Sequence, residues 1–183
     1  MTPIDHMPTV AIGLISQGKR VALATVISTW GSAPRPVGSQ LAITSDGEFW
    51  GSVSGGCVEG AVILEAQSAL QDGTCRILEY GVADEDAFAV GLACGGEIRI
   101  LLEPIDIGDG PTFDQINQLA QAHKDRKTIA LSVDLDTWKR QFIAPTSDTS
   151  YAADNVFTAV HSPTLQLAIV GAVHITQVLA PIA

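Results

Sequence analysis

Apolar and polar positions alternate along this chain in two distinct rhythms. PTVAIGLISQ (8–17) has apolar residues at helical spacing, with Pro8 near the start and Gly18 placed to end the helix in a left-handed turn. VALATVIST (21–29) is rich in β-branched residues and predicts a strand. WGSAPRPVGS (30–39) is broken by Pro and Gly into a loop. QLAITS (40–45) and EFWGSV (48–53) flank Asp46-Gly47, the signature of a hairpin. VEGAVILEAQSAL (58–70) predicts a mostly buried helix that Gly73 closes, and TCRILEY (74–80) a strand. GVADEDAFAVGLACGG (81–96) sustains no period and predicts a long ordered loop, with one helical turn at 84–88.

EIRILLEP (97–104) predicts a strand that Pro104 ends, and IDIGDGP a linker. Beyond it, FDQINQLAQAHKD (113–125) predicts a helix, and KTIALSVDL (127–135), TWKRQFIA (137–144) and VFTAVHS (156–162) predict strands around a polar loop at 145–155. Strands alternating with helices predict an α/β fold, a mixed sheet flanked by helices. We divide it into a core at 1–110, an α/β extension of the same domain at 111–162, and a separate unit at 163–183. That last stretch contains LQLAIVGAVHITQVLAPIA, a buried strand, a Gly turn and the start of a helix, as a dinucleotide-binding domain opens. One βα unit leaves a sheet edge and its apolar faces uncovered. The expectation is a truncated Rossmann-like domain, or a unit completed by a second chain or by exchange in a homo-oligomer.

Composition narrows the function classes. Hydrophobic residues make up 46% of the chain, enough for a core, and no apolar run reaches the roughly 18–20 residues of a membrane span. The N-terminus lacks a basic signal-peptide region, so the expectation is a cytoplasmic protein with no membrane role. The formal charge of −10, with only 10 Lys and Arg, argues against nucleic-acid binding. Backbone dipoles can nevertheless hold a small anion against that net charge. The 3 cysteines, an odd number without CxxC spacing, predict free thiols rather than disulfides or a closed zinc site.

Two stretches place a thiol among glycines. In GSVSGGCVEG (51–60), Gly55 and Gly56 precede Cys57 at the start of a predicted helix. Bare backbone before a helix can point N–H groups at an anion, and a thiol there can serve as nucleophile or metal ligand. A plain strand-to-helix turn around a small buried cysteine accounts for the same residues. The stretch is neither a P-loop, since no GK[ST] follows, nor a nucleophile elbow, since Val53 stands where the nucleophile would. GLACGGE (91–97) repeats the chemistry with Cys94, Gly95 and Gly96. Arg35, held between prolines in WGSAPRPVGS, suits bidentate contact with phosphate or carboxylate, if its loop lies beside the glycine clusters. The acids of DEDAF (84–88) fit ordinary helix-start chemistry, and Cys75 fits the core. His6 and His123 read as surface residues, His161 is open, and His174 reads as part of a turn.

GSAPRPVGSQLAI, GSVSGGCVEGAV, YGVADEDAFAVGLACGGEIRILLEP and LAIVGAVHITQVLA, in that order, resemble the XdhC/CoxI family of accessory proteins for molybdenum hydroxylases such as xanthine dehydrogenase and carbon monoxide dehydrogenase. The resemblance covers about residues 8–105 and resumes at 165–183. It implies a chaperone, not an enzyme, that binds the molybdenum cofactor (molybdopterin) transiently and protects it during sulfuration by a cysteine desulfurase. The apo molybdenum hydroxylase then receives the cofactor. It also implies Cys94 as the first candidate for a molybdenum contact and Cys57 as the second, with the glycine N–H groups and Arg35 facing the cofactor phosphate. Two positions depart from the family pattern: Gln40 stands where a basic residue is common after PRxxG, and Val173 where a GxGxxG turn would have glycine. The alternatives are a thiol-dependent enzyme using Cys57 or Cys94, for which no motif supplies a base, and a structural remnant that oligomerises through its C-terminal unit.

Overall fold

The computed structural model describes residues 6–32, 35–81, 96–164, 168–171 and 173–180. α1 (Met7–Ser16) precedes β1 (Val21–Trp30), β2 (Gln40–Thr44), β3 (Phe49–Gly51), α2 (Glu59–Asp72), β4 (Arg76–Tyr80) and β5 (Glu97–Pro104). α3 (Phe113–Lys124) leads to β6 (Ile129–Asp134), β7 (Arg140–Ile143), β8 (Tyr151–Ala153) and β9 (Val156–His161), and α4 (His174–Leu179) follows. Gly73 ends α2 at φ 75°, as its position in the sequence predicts.

The α/β architecture is as expected, but the strands form two sheets. A five-stranded sheet has the order β3-β2-β1-β5-β4, and a four-stranded one the order β7-β6-β9-β8. Every pairing among the described strands is antiparallel, where the alternation of strands and helices suggested a mixed sheet. The topology gives the reason. α2 carries the chain from β3 at one edge to β4 at the other, so the strands it joins run the same way without becoming neighbours. α3 joins strands of different sheets, so it forms no parallel pair either.

β1 is the centre of the larger sheet and is buried on both faces, which its near-continuous apolar run requires. Ala22, Ala24 and Val26 share a core with Val62, Ala66, Ala69 and Leu70 of α2. Val21 and Leu23 join Ala11 and Leu14 of α1, Ile116 and Leu119 of α3, and Leu131 of β6. Ile27 and Leu101 meet Val133 and Phe157 of the smaller sheet. One face of the larger sheet is therefore covered by α2, and the other by α1, α3 and the second sheet.

Two expectations need correction. The polar loop predicted at 145–155 contains β8, which pairs with β9 through Ala153↔Val156. Only Asp154 and Asn155 lie between, at φ 47° and 64°, the left-handed pair that a tight hairpin demands. At the other end, residues 168–171 are exposed and form no strand, and α4 buries no residue. The apolar pattern there finds no strand of either sheet to pair with, and a strand without a ladder leaves its backbone donors and acceptors unpaired. The Rossmann-like unit is thus not formed among the described residues. The helical turn expected at 84–88 lies outside them.

Candidate functional site

Strand direction gathers the chemistry-bearing loops. β1, β3 and β4 run one way in the larger sheet, and β2 and β5 run the other. The β1–β2 loop with Arg35, the β3–α2 loop with Cys57, and the β4–β5 segment with Cys94 therefore all leave from the same end of this sheet. Two of them touch. A Cβ built on Gly96 would lie 2.9 Å from the Trp30 carbonyl oxygen and 3.3 Å from that of Ser32, so only glycine permits this approach of residue 96 to the WGS turn. Sequence spacing alone left this convergence open.

The Cys57 loop is built around a residue that the sequence motifs did not single out. Val53 and Val58 are fully buried and anchor its two ends in the α2 core. Between them Gly55 and Gly56 turn at φ 76° and 115°, a region that side-chain-bearing residues rarely adopt. Gly55, Gly56 and Cys57 are exposed, while Glu59, the first residue of α2, is only 7% exposed. The Glu59 carboxylate reaches back into the loop. Its Oε1 accepts from Ser52 Oγ at 2.8 Å, Val53 N at 3.2 Å and Ser54 N at 2.9 Å. Its Oε2 accepts from Gly56 N at 2.8 Å and from the Ser54 hydroxyl. The two serine oxygens accept in turn, Ser52 Oγ from Gly55 N at 2.9 Å and Ser54 Oγ from Val58 N at 3.0 Å. Burial pushes the Glu59 carboxyl up, but the hydrogen bonds from Ser54 and Ser52 outweigh it and hold it at about 2.

This network revises one part of the sequence reading. The amides of Val53, Ser54, Gly55, Gly56 and Val58, which suited an external phosphate, are all engaged within the loop. The exposed groups are the backbone of Gly55-Gly56 and the Cys57 thiol. The sequence did carry a signal: an acid in the first helical turn after a Ser/Gly run is placed to cap the loop's own N–H groups.

Of the other candidates, Arg35 is exposed in the β1–β2 loop, and Gly96 lies against Trp30 and Ser32. Cys94 and Gly95 lie outside the described residues. Cys75 is buried as expected; burial pushes its thiol up to about 12, and its Sγ accepts from Arg140 Nη2 at 3.3 Å. His6 and His123 are not the surface residues they read as. His6 is buried, its ring stacks on His123 with centroids 4.1 Å apart, and its Nε2 lies 3.2 Å from His161 Nδ1. The cluster forms because α1 and α3 pack side by side and His161, at the end of β9, reaches His6, a contact that spacing along the chain does not reveal. His174 is exposed at the start of α4. None of the hydrogen bonds among the described residues joins a histidine to Cys57, and no group of three His, Cys, Asp or Glu residues there could hold a metal ion.

Residues 14–81, which include β1, the Arg35 loop, the Cys57 loop and α2, match the model of the XdhC and CoxI family. This segment belongs to the XdhC and CoxI family. Two curated relatives agree with the family assignment. The chain is 35% identical over 124 residues to the molybdenum cofactor insertion chaperone PaoD of Escherichia coli (strain K12), an alignment covering 68% of this chain and 37% of PaoD. It is 29% identical over 104 residues to a protein of Bacillus subtilis (strain 168) described as a probable component of xanthine dehydrogenase, covering 56% of this chain and 32% of the relative. The chain thus spans about a third of the length of these curated relatives. A crystal structure described as a xanthine dehydrogenase from Bacillus halodurans superposes with a TM-score of 0.65 at 22% identity, over 85% of this chain and 53% of that one. That likeness shows a shared fold.

Proposed function

We propose that this chain binds the molybdenum cofactor as cargo and delivers it to a molybdenum hydroxylase, without turnover chemistry of its own. The observation that carries the reading is that β1, β3 and β4, which lead into the Arg35, Cys57 and Cys94 loops, all end on the same side of the larger sheet, where Gly96 lies against Trp30 and Ser32. The likeness to the chaperone PaoD supports it. A thiol suits a soft metal that must be released again, and the residues around Cys57 fit such cargo: Gly55, Gly56 and Cys57 are all exposed, and a Cβ on Gly56 would meet nothing within 4 Å. With the loop amides held by Glu59, the phosphate of the cofactor falls to Arg35 and to the segment containing Cys94, Gly95 and Gly96. Cys94 remains the first candidate for the molybdenum contact and Cys57 the second.

On the same reading, a cysteine desulfurase and the apo-hydroxylase are the partners, with xanthine dehydrogenase or carbon monoxide dehydrogenase as the recipient type, and the chain works as a homo-oligomer or beside a second chain. Residues 111–162, which form α3 and the second sheet, extend the domain of residues 1–110 and cover one face of its sheet.

The test is anaerobic incubation of the purified protein with molybdenum cofactor, followed by measurement of bound molybdenum and pterin in the wild type, Cys57→Ala and Cys94→Ala. Near-stoichiometric binding that one substitution abolishes is the expected result. Equal binding by all three proteins would remove the thiols from the site, and no binding by the wild type would overturn cargo binding by this chain.

A further inference from the structure

The N–H groups of a glycine-rich loop before a helix make a ready anion site, and here the site is filled from within. Five hydrogen bonds converge on the Glu59 carboxylate, three from the amides of Val53, Ser54 and Gly56 and two from the hydroxyls of Ser52 and Ser54. Each serine hydroxyl passes the connection on to a further amide, so the loop closes on itself through one side chain. The backbone at Gly55 and Gly56, at φ 76° and 115°, has no regular secondary structure to hold it. Without the carboxylate, the buried amides of Val53 and Ser54 would have no partner at all, an expensive state for a buried donor.

We propose that Glu59 is a positioning residue, an internal anion that occupies the nest of its own loop and thereby presents Cys57 in a fixed place. Its role as a positioner of a ligand thiol rests on the cargo-binding reading; the occupied nest does not. The arrangement also specifies how the site works. The loop offers its ligand a thiol and not a ring of amides, so specificity for the anionic part of the cargo lies on the neighbouring loops. The negative charge of Glu59, set beneath the exposed Gly55-Gly56-Cys57 tip, further disfavours an anion settling on this loop from solvent.

The first test uses the wild-type chain without ligand. Hydrogen exchange followed by NMR should show the amides of Val53, Ser54 and Gly56 protected at least a hundredfold over free-chain rates, although Gly56 is exposed. Exchange at free-chain rates would overturn the proposal. The second test empties the nest. In Glu59→Ala, the freed amides and the lost negative charge should make Cys57 alkylation by iodoacetamide at pH 7 several-fold faster, as read by peptide mapping. Sodium acetate at tens of millimolar should return the rate toward that of the wild type and raise the melting temperature of the variant saturably, with sodium chloride at equal ionic strength as control. A merely structural loss would show no such rescue. Should Glu59→Ala fail to fold, Glu59→Gln preserves the shape and loses one accepting oxygen, and it should lose protection at some of the same amides. Unchanged protection in Glu59→Gln, or an acetate-independent Glu59→Ala, would refute the role. Neither test involves the cofactor, so failure of cargo binding and failure of this proposal are separate outcomes.

Discussion

Arg140 shows how much a single side chain can hold together. Its Nε and Nη2 donate to Glu103 Oε1 at 2.9 and 2.6 Å, and its Nη1 donates to the carbonyls of Asp109 and Trp138, each at 2.7 Å. The two side chains are 4% and 10% exposed, and they join β7 of the smaller sheet to β5 of the larger. Burial pushes the Glu103 carboxyl up, and the facing guanidinium draws it back. Breaking such a pair leaves an uncompensated buried charge, whereas replacing both partners with apolar residues removes the problem. Arg140→Ala is therefore expected to cost about 3–5 kcal/mol in urea unfolding, and Arg140→Met with Glu103→Met to cost much less. A double variant as unstable as the single one would show that the pair is not the source of the loss. In the sequence, Arg140 lies in TWKRQFIA and Glu103 in a strand 37 positions earlier. Nothing local marks them as partners. The same applies to His6 and His161, whereas Glu59 bonds residues within seven positions of itself and could have been read from the chain.

Elements were more legible than side-chain partners, because their causes are local. α1, β1, the Asp46-Gly47 hairpin, α2 and its glycine stop, β5 and α3 all fall within a few residues of where periodicity, β-branching and turn residues place them. The strand that was missed, β8, is short and follows a Ser/Thr/Asp-rich run, so composition hid a turn that Asp154-Asn155 had spelled out. That turn gives a prediction. Asn155 sits at φ 64°, a conformation Asn tolerates and a β-branched residue does not. Asn155→Val should destabilise the chain by about 1–2 kcal/mol in thermal or urea unfolding, and Asn155→Gly should be neutral within about half a kcal/mol. Equal losses in both variants would place the effect in the Asn side chain and not in the backbone. The sheet arrangement was less legible than the elements, because pairing direction depends on where α2 and α3 set the chain down, a decision made across the whole sheet.

At the scale of the whole molecule, the two sheets meet at Arg140, and α1, α3 and the smaller sheet meet at the histidine cluster. His6 at the start of α1 hydrogen-bonds Thr9 Oγ1 at 2.8 Å and His161 of β9 at 3.2 Å, and it stacks on His123 of α3. The charged groups around the cluster are few. α1 carries none, α3 ends in Lys124 next to Asp125, and beyond them Arg126 donates to the Thr164 carbonyl at 3.2 Å. Among the described residues no carboxylate forms an ion pair with any of the three rings. Burial and then the neighbouring histidines push His6 down to about 3, and burial and then His123 push His161 down to about 4. The sign follows from linkage. Both rings are neutral in the folded chain at pH 7, and both would take up a proton near pH 6.5 once unfolded. Stability is therefore fully present above about pH 6.5, falls as the pH drops below that value, and levels off near pH 3–4, where the folded rings also protonate. Between pH 7 and pH 5, His6 alone should remove about 2 kcal/mol. Urea unfolding at a series of pH values should show this slope, and His6→Gln should flatten it more than it lowers stability at pH 5. A stability that does not change between pH 7 and pH 5 would mean the rings find room for the charge when folded, and the tie between α1, α3 and β9 would then be looser than their packing implies.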